Sequence, residues 1–279
     1  MITNDMIVRM KIGKAKVTAA LEAGGGYTVL STGSTGDDAR LAKAVVDAGI
    51  KMLEPNHPAV ALARGHKGVT SMHAAERIRF EITIDQMAEV TRGVRNVVPD
   101  DVFITVGIPG GFTEVVPMPL TETDFAKMAF AGADGLHVHK SSVEDLAEIV
   151  EGAHRAGMLV DAYIAMSTDL HTFGIPADTP EEVFRVAKQM ESVGTDMIGL
   201  MTGMSYEGVS AGEIHPIVKE RLAALTEAVK VPTLAEGGIN AANFHAFRDT
   251  KVNILVIGTA IDKMIEKAAQ DAVKQFMAR

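Results

Sequence analysis

The feature that most constrains this chain is a repeated piece of punctuation: a helical stretch closes at Ala-Gly or Val-Gly, and a short apolar run follows at once. It recurs at Gly49 before residues 50–54, at Gly132 before 134–139, at Gly157 before 158–165 and at Gly194 before 196–201. Strands alternating with helices are the mark of a parallel sheet. Residues 27–31 supply a first strand, 102–107 a third, and 231–240 with 252–261 a seventh and eighth. Eight strands select an α/β architecture of the (β/α)8 or TIM-barrel type over an open doubly wound sheet. No early Gly-x-Gly-x-x-Gly turn favours a dinucleotide fold. The 279 residues suit a single-domain barrel spanning 1–279, since such barrels run to about 250 residues. Residues 5–22 are expected to form a helix or clasp across the barrel bottom, and residues 55–79 the longest irregular loop.

Charge and cysteine content narrow the function classes. A formal charge of −9 argues against a nucleic-acid partner, whose phosphates call for a basic face. No apolar run of about 18 residues or signal-peptide core stands out, so no membrane partner is expected and a cytoplasmic location is. The absence of cysteine excludes disulfides, thiolate catalysis and thiolate-bound zinc. Any metal is then held by histidine, carboxylate or substrate oxygens. A homo-oligomer is the base-rate expectation.

In a barrel the carboxyl ends of different strands converge on one pocket. Strand two offers Glu54, strand four His137, His139 and Lys140, strand five Asp161 and Tyr163, strand six Thr202 and Ser205, and strand seven Glu236. Spacing of two puts His137 and His139 on one face of their strand, with Leu136 and Val138 toward the helices. Such a pair can serve as acid and base, or hold a divalent metal (Mg, Mn or Zn) with Glu54 or Glu236; two hydrogen-bonded core histidines are the plainer reading. Asp161 stands in an otherwise apolar strand and needs a partner, a neighbouring histidine being the natural one. It is read either as support for that histidine or as a participant in the chemistry. Lys140 is a Schiff-base candidate or a surface or phosphate contact. In the 55–79 segment, His57, Arg64, His66, Lys67, His73, Arg77 and Arg79 suggest either a lid that grips a substrate anion or a solvated excursion.

The last two strands end in Ala235-Glu236-Gly237-Gly238-Ile239-Asn240 and Val256-Ile257-Gly258-Thr259-Ala260-Ile261. Glycines allow close approach of an anion, and a helix beginning directly after each turn would aim N–H groups at it. These residues resemble the closing strands of the ribulose-phosphate-binding barrels, most of all N-acetylmannosamine-6-phosphate 2-epimerase, as does the end of strand six through Thr202-Gly203-Met204-Ser205-Tyr206. The resemblance implies a phosphate site at Gly237, Gly238, Gly258 and Thr259, with Gly203 contributing. The epimerase's strand-three lysine is replaced by the run Thr105 to Gly111, and no Asp-x-Lys-x-x-Asp array of the related synthases and decarboxylases is present. The expected activity is proton abstraction next to a carbonyl of a small phosphorylated sugar or keto acid, giving epimerisation, isomerisation or aldol-type cleavage. His139 and Glu236 are the expected acid/base pair, with Glu54 and His137 holding a metal or substrate hydroxyls. A Lys140 Schiff-base aldolase and a non-catalytic phosphometabolite-binding barrel are the alternatives.

Overall fold

In the computed structural model, which describes residues 2–114, 116–168, 173–203 and 212–277, the alternation closes into a ring. The strands are β1 Thr28–Thr32, β2 Met52–Glu54, β3 Phe103–Phe112, β4 Gly135–His139, β5 Leu159–Ala165, β6 Ile175–Pro176, β7 Met197–Met201, β8 Thr233–Glu236 and β9 Ile254–Ile257. Parallel pairing runs β1-β2-β3-β4-β5-β7-β8-β9 and returns to β1, with the two-residue β6 added outside the ring on β5. The chain is therefore a single-domain (β/α)8 barrel. The register brings Thr32 level with Glu54, His137 with Asp161 and Met201 with Glu236.

Strands buried on both faces read as continuous apolar runs, and alternate residues serve two cores. Leu30, Met52, Phe103, Leu159, Met197, Leu234 and Ile254 fill the ring's interior. Leu53, Ile104, Leu136, Val160, Ile198 and Leu255 point outward to the helices. Those helices begin on side-chain caps. Thr83, Thr121 and Thr179 each form a capping box with Gln86, Asp124 and Glu182, which satisfies N–H groups that a helix start leaves unpaired.

The helix Asn4–Ala23 lies at the N-terminal end of the ring. Its Val17 and Ala20 join the interior core, Lys16 Nζ pairs with Asp134 Oδ1 at 2.7 Å, and Arg9 donates to the Ala129 and Ala133 carbonyls. The opposite end of the ring is thus left as the open one.

Three segments differ from the sequence reading. Residues 55–79 are not one irregular loop but carry the helices His57–Ala63 and Met72–Glu76, capped by Asn56 and Ser71. Helices this short show no periodicity to read. Strand three does not stop at Gly107; it continues to Phe112, which pairs with His139 after an irregularity. No helix starts directly after Gly238: a turn closed by Asn240 and Asn243 intervenes before the five-residue helix Phe244–Arg248. The helix Thr259–Met277 does follow Gly258 at once. Among the described residues no helix is long and apolar enough to cross a membrane.

Candidate active site

At the carboxyl ends of the strands lies a cavity of about 360 Å³, lined in part by Glu54, His137, His139 and Glu236 from β2, β4 and β8. Two-residue spacing turns both β4 imidazoles inward, where they are 1% and 2% exposed. Each ring is held by its Nδ1. His137 Nδ1 lies 2.6 Å from Asp161 Oδ2, and the other Asp161 oxygen accepts from Thr105 Oγ1 at 2.5 Å. His139 Nδ1 donates to the Phe173 carbonyl, while its ring stacks on Tyr163 at 4.7 Å and meets Phe112 at 4.5 Å.

Those two contacts leave both Nε2 atoms facing the cavity, 2.7 Å from each other. Around His137 Nε2 stand Glu236 Oε2 at 3.5 Å and Glu54 Oε1 at 3.6 Å. Burial alone would push His137 down, but Glu54, Asp161 and Glu236 outweigh it and hold the imidazolium up to about 10. Burial and the charge on His137 push His139 well below the usual histidine range. One proton on His137 Nε2, donated to neutral His139, accounts for the short contact. Burial raises Glu54 to about 8 against the pull of His137, and raises Glu236 in the same way.

The donor set fits a metal ion. Donor atoms of His137, His139 and Glu236 lie within 4.8 Å of one another. Among the described residues, the buried Oε2 atoms of Glu54 and Glu236 have no hydrogen-bond partner, a costly condition unless a cation or ligand satisfies it.

The cavity's other wall is the glycine rim. Gly237 and Gly238 have φ of +102° and +68°, conformations that L side chains disfavour. Thr202 Oγ1 donates to the Glu236 and Gly237 carbonyls at 2.9 and 2.6 Å, and Asn243 Nδ2 to the Gly238 carbonyl at 3.0 Å. Gly258, Thr259 and Ala260 line the same cavity where the 259–277 helix begins, and a first helical turn leaves N–H groups unused by the helix. Gly203 sits against Gly237 rather than on the cavity wall. Asp262, in that first turn, takes Ser34 Oγ at 2.6 Å and ties the β1 loop to the rim.

One alternative read from the sequence does not match the geometry. Lys140 does not join the cluster: its ammonium donates to the Phe112 carbonyl at 3.0 Å and faces a second hollow beside Asp145 and Glu148. A Schiff base there would not reach the cavity, because one residue beyond His139 a strand side chain points the other way. Of the basic residues of 55–79, Arg79 and His57 are not available to a gripping lid. Arg79 and His57 are spent on Glu114, at 2.8 and 3.0 Å, and Arg79 also pairs with Glu76. His66 faces Glu81; the side chain of His73, and all of Ser205, lie outside the described residues.

Sequence reasoning missed Glu76 and Glu114 and their pairing with Arg79, the Phe112 and Phe173 contacts, and Asp262. The basic and acidic partners come from short helices and the segment just beyond β3, with no periodic signal. A backbone acceptor such as the Phe173 carbonyl leaves no trace in residue types at all.

No family model matches the chain. Solved structures share its fold: one described as a phosphonomutase from Burkholderia cenocepacia J2315, at 19% identity over 94% of this chain and 99% of that one, has a TM-score of 0.62. A mutant tryptophan synthase α-subunit from Pyrococcus furiosus is 14% identical over 87% and 91%, with a TM-score of 0.62. A phosphonopyruvate hydrolase in complex with oxalate and Mg²⁺ is 17% identical over 96% and 86%, with a TM-score of 0.59. At these identities the likeness is one of fold; it bears out the (β/α)8 barrel and does not extend to the N-acetylmannosamine-6-phosphate 2-epimerase resemblance.

Proposed function

We propose that the chain is an enzyme that moves a proton next to a carbonyl in a small phosphorylated sugar or keto acid, leading to epimerisation, isomerisation or aldol-type cleavage. One juxtaposition carries this reading: Glu54, buried with an oxygen that no described residue satisfies, shares a single cavity with the 237–238 and 258–259 rim. A phosphate resting on the rim would hold the carbonyl-bearing carbons over the β2 and β4 side chains. The neighbours named as a phosphonomutase and a phosphonopyruvate hydrolase agree with a phosphorylated or keto-acid substrate.

Within this reading Glu54 takes and returns the proton. Glu54 Oε1 stands 3.6 Å from His137 Nε2, so the carboxylate has a positive charge at hand in either state of the site, the imidazolium without metal or the ion that would replace its proton. His139 and Glu236, the pair expected from sequence, are less suited to that task. His139 has both ring nitrogens engaged, by the Phe173 carbonyl and by His137, and Glu236 belongs with the two imidazoles as a donor set. A divalent metal held by His137, His139 and Glu236 would supply a Lewis acid for the substrate's carbonyl oxygen. His137 and Asp161 keep that donor set oriented, and Phe112, Phe173 and Tyr163 keep water from its buried side.

The test is deuterium exchange from D₂O into the carbon next to the carbonyl, followed by NMR across a panel of phosphorylated sugars and keto acids. The wild-type protein exchanges at least one of them. Glu54→Gln, close in shape to the protonated carboxyl, slows that exchange by about 100-fold or more, the usual contribution of a general base. Unchanged exchange in a folded Glu54→Gln protein removes Glu54 from the mechanism.

A further inference from the structure

We propose that His137 Nε2, His139 Nε2 and Glu236 bind a divalent transition ion of the zinc class in preference to Mg²⁺. The inference deepens the proposed function by naming the ion of the same cavity, and it rests on the reading of this cluster as the reaction site.

Three observations carry it. First, the two Nδ1 atoms are already committed to acceptors. The Phe173 carbonyl can only accept, so His139 Nδ1 carries the proton; Asp161, which also takes the Thr105 hydroxyl, accepts from His137 Nδ1. With the one proton they share removed, both rings turn a lone-pair nitrogen into the cavity, and at 2.7 Å two bare lone pairs repel unless a cation lies between or before them, a metal ion taking the place of that proton. Carboxylate or carbonyl acceptors behind ligating histidines are the usual outer support of such sites, fixing tautomer and ring orientation together.

Second, the donors are the right distance apart. A tetrahedral ion with bonds of about 2.0–2.1 Å keeps its ligand atoms roughly 3.3 Å from one another. The imidazole nitrogens are 2.7 Å apart, His137 Nε2 is 3.5 Å from Glu236 Oε2, and the three residues' donor atoms all lie within 4.8 Å of one another. The buried Glu236 Oε2, which has no hydrogen-bond partner among the described residues, points to a ligand. Small rotations of the ring and carboxylate complete the fit.

Third, the chemistry of the set selects the ion. Two imidazoles and one carboxylate suit zinc, iron, cobalt or manganese, whereas Mg²⁺ favours oxygen donors and keeps its waters. Three protein ligands with the remaining face open to a cavity of about 360 Å³ match the catalytic rather than the closed structural type of zinc site.

The test uses the full chain stripped of metal with a chelator, then titrated with Co²⁺ as a spectroscopic stand-in. Visible ligand-field bands of four- or five-coordinate cobalt appear and saturate at one ion per chain. Zn²⁺ displaces them at concentrations at least about 100-fold lower than Mg²⁺ requires. Glu236→Gln, whose side chain is 19% exposed and so tolerates the change, loses the bands while keeping its circular dichroism. Asp161→Asn weakens Co²⁺ binding by about 10–100-fold, as loss of outer support does. Absence of bands in the wild-type protein, equal displacement by Mg²⁺, or bands unchanged in folded Glu236→Gln overturns the proposal. Glu54→Gln separates this result from the enzymatic reading: retained cobalt bands with unchanged deuterium exchange leave the metal site standing and remove the Glu54 mechanism.

Discussion

Asp161 Oδ2 lies 2.6 Å from His137 Nδ1, on residues that face each other in the register of β4 and β5. Neither side chain could occupy the barrel interior alone. A buried carboxylate or imidazolium without a partner is strongly disfavoured, and breaking such a pair costs about 3–5 kcal/mol, far more than its net contribution when intact. Asp161→Ala removes the acceptor for His137 and the partner of Thr105 together. Chemical denaturation at neutral pH should show it less stable than wild type by about 3–5 kcal/mol. Asp161→Asn keeps a carbonyl for His137 and an amide for Thr105, so its loss should stay near 1–2 kcal/mol, the cost of a weakened buried hydrogen bond. Equal losses in the two variants would mean that packing, not the pair, is what Asp161 provides.

The second carboxylate network makes a pH prediction. Glu76 pairs with Arg79, yet burial outweighs that cation and lifts the carboxyl from 4.5 to about 7. Between those values the folded chain keeps a proton that the unfolded chain has released. Stability from this group therefore falls as pH rises through the window, by on the order of 3 kcal/mol. Glu76→Gln cannot release a proton, so the stability difference between wild type and variant should move in the variant's favour from pH 5 to pH 7.5. Parallel pH profiles of the two proteins would show that Arg79 holds Glu76 ionised throughout.

Lys140 supplies a control on the reaction class. Its ammonium, bound to the Phe112 carbonyl, is outside the cavity. Borohydride reduction in the presence of any substrate that exchanges deuterium should leave Lys140 unlabelled, and Lys140→Met should retain exchange within about threefold of wild type, an effect of under about 1 kcal/mol. Labelling of Lys140 would restore the aldolase mechanism and require the β4 end to rearrange.

These cases show what the sequence could and could not carry. The barrel was readable because each helix-closing glycine at 49, 132, 157 and 194 is followed at once by an apolar run, and strand alternation is a strict period of two. The same period placed His137 and His139 together and, applied one residue further, would have turned Lys140 away. Glu236 announced itself by standing before two glycines. The Glu76–Arg79–Glu114 network was silent because its members come from a five-residue helix, a single 3-10 turn and the segment just beyond β3. Such pieces are too short for periodicity, and only tertiary packing brings them together.

The rim itself can be tested at Gly237. Its φ of +102° is one that an L side chain seldom adopts, and an added Cβ would lie 2.9 Å from the Gly203 carbonyl oxygen. Backbone strain of this kind costs about 1–3 kcal/mol, and the neighbouring backbone cannot give way as a flexible side chain could. Gly258 offers a contrast: a Cβ there would meet Thr32 Cγ2 at 2.7 Å, a side-chain methyl, and no left-handed conformation is involved. Gly237→Ala should therefore lose about 1–3 kcal/mol of stability and, by displacing the turn after β8, lose most of the thermal stabilisation that inorganic phosphate or a phosphorylated sugar gives the wild-type protein, an effect that reads binding to the native state. Gly258→Ala should keep more of the stability while still weakening phosphate, because the methyl enters the cavity beside the first helical turn. Undiminished phosphate stabilisation in both variants would move the anion site away from the rim and leave the two glycine turns with a purely structural task.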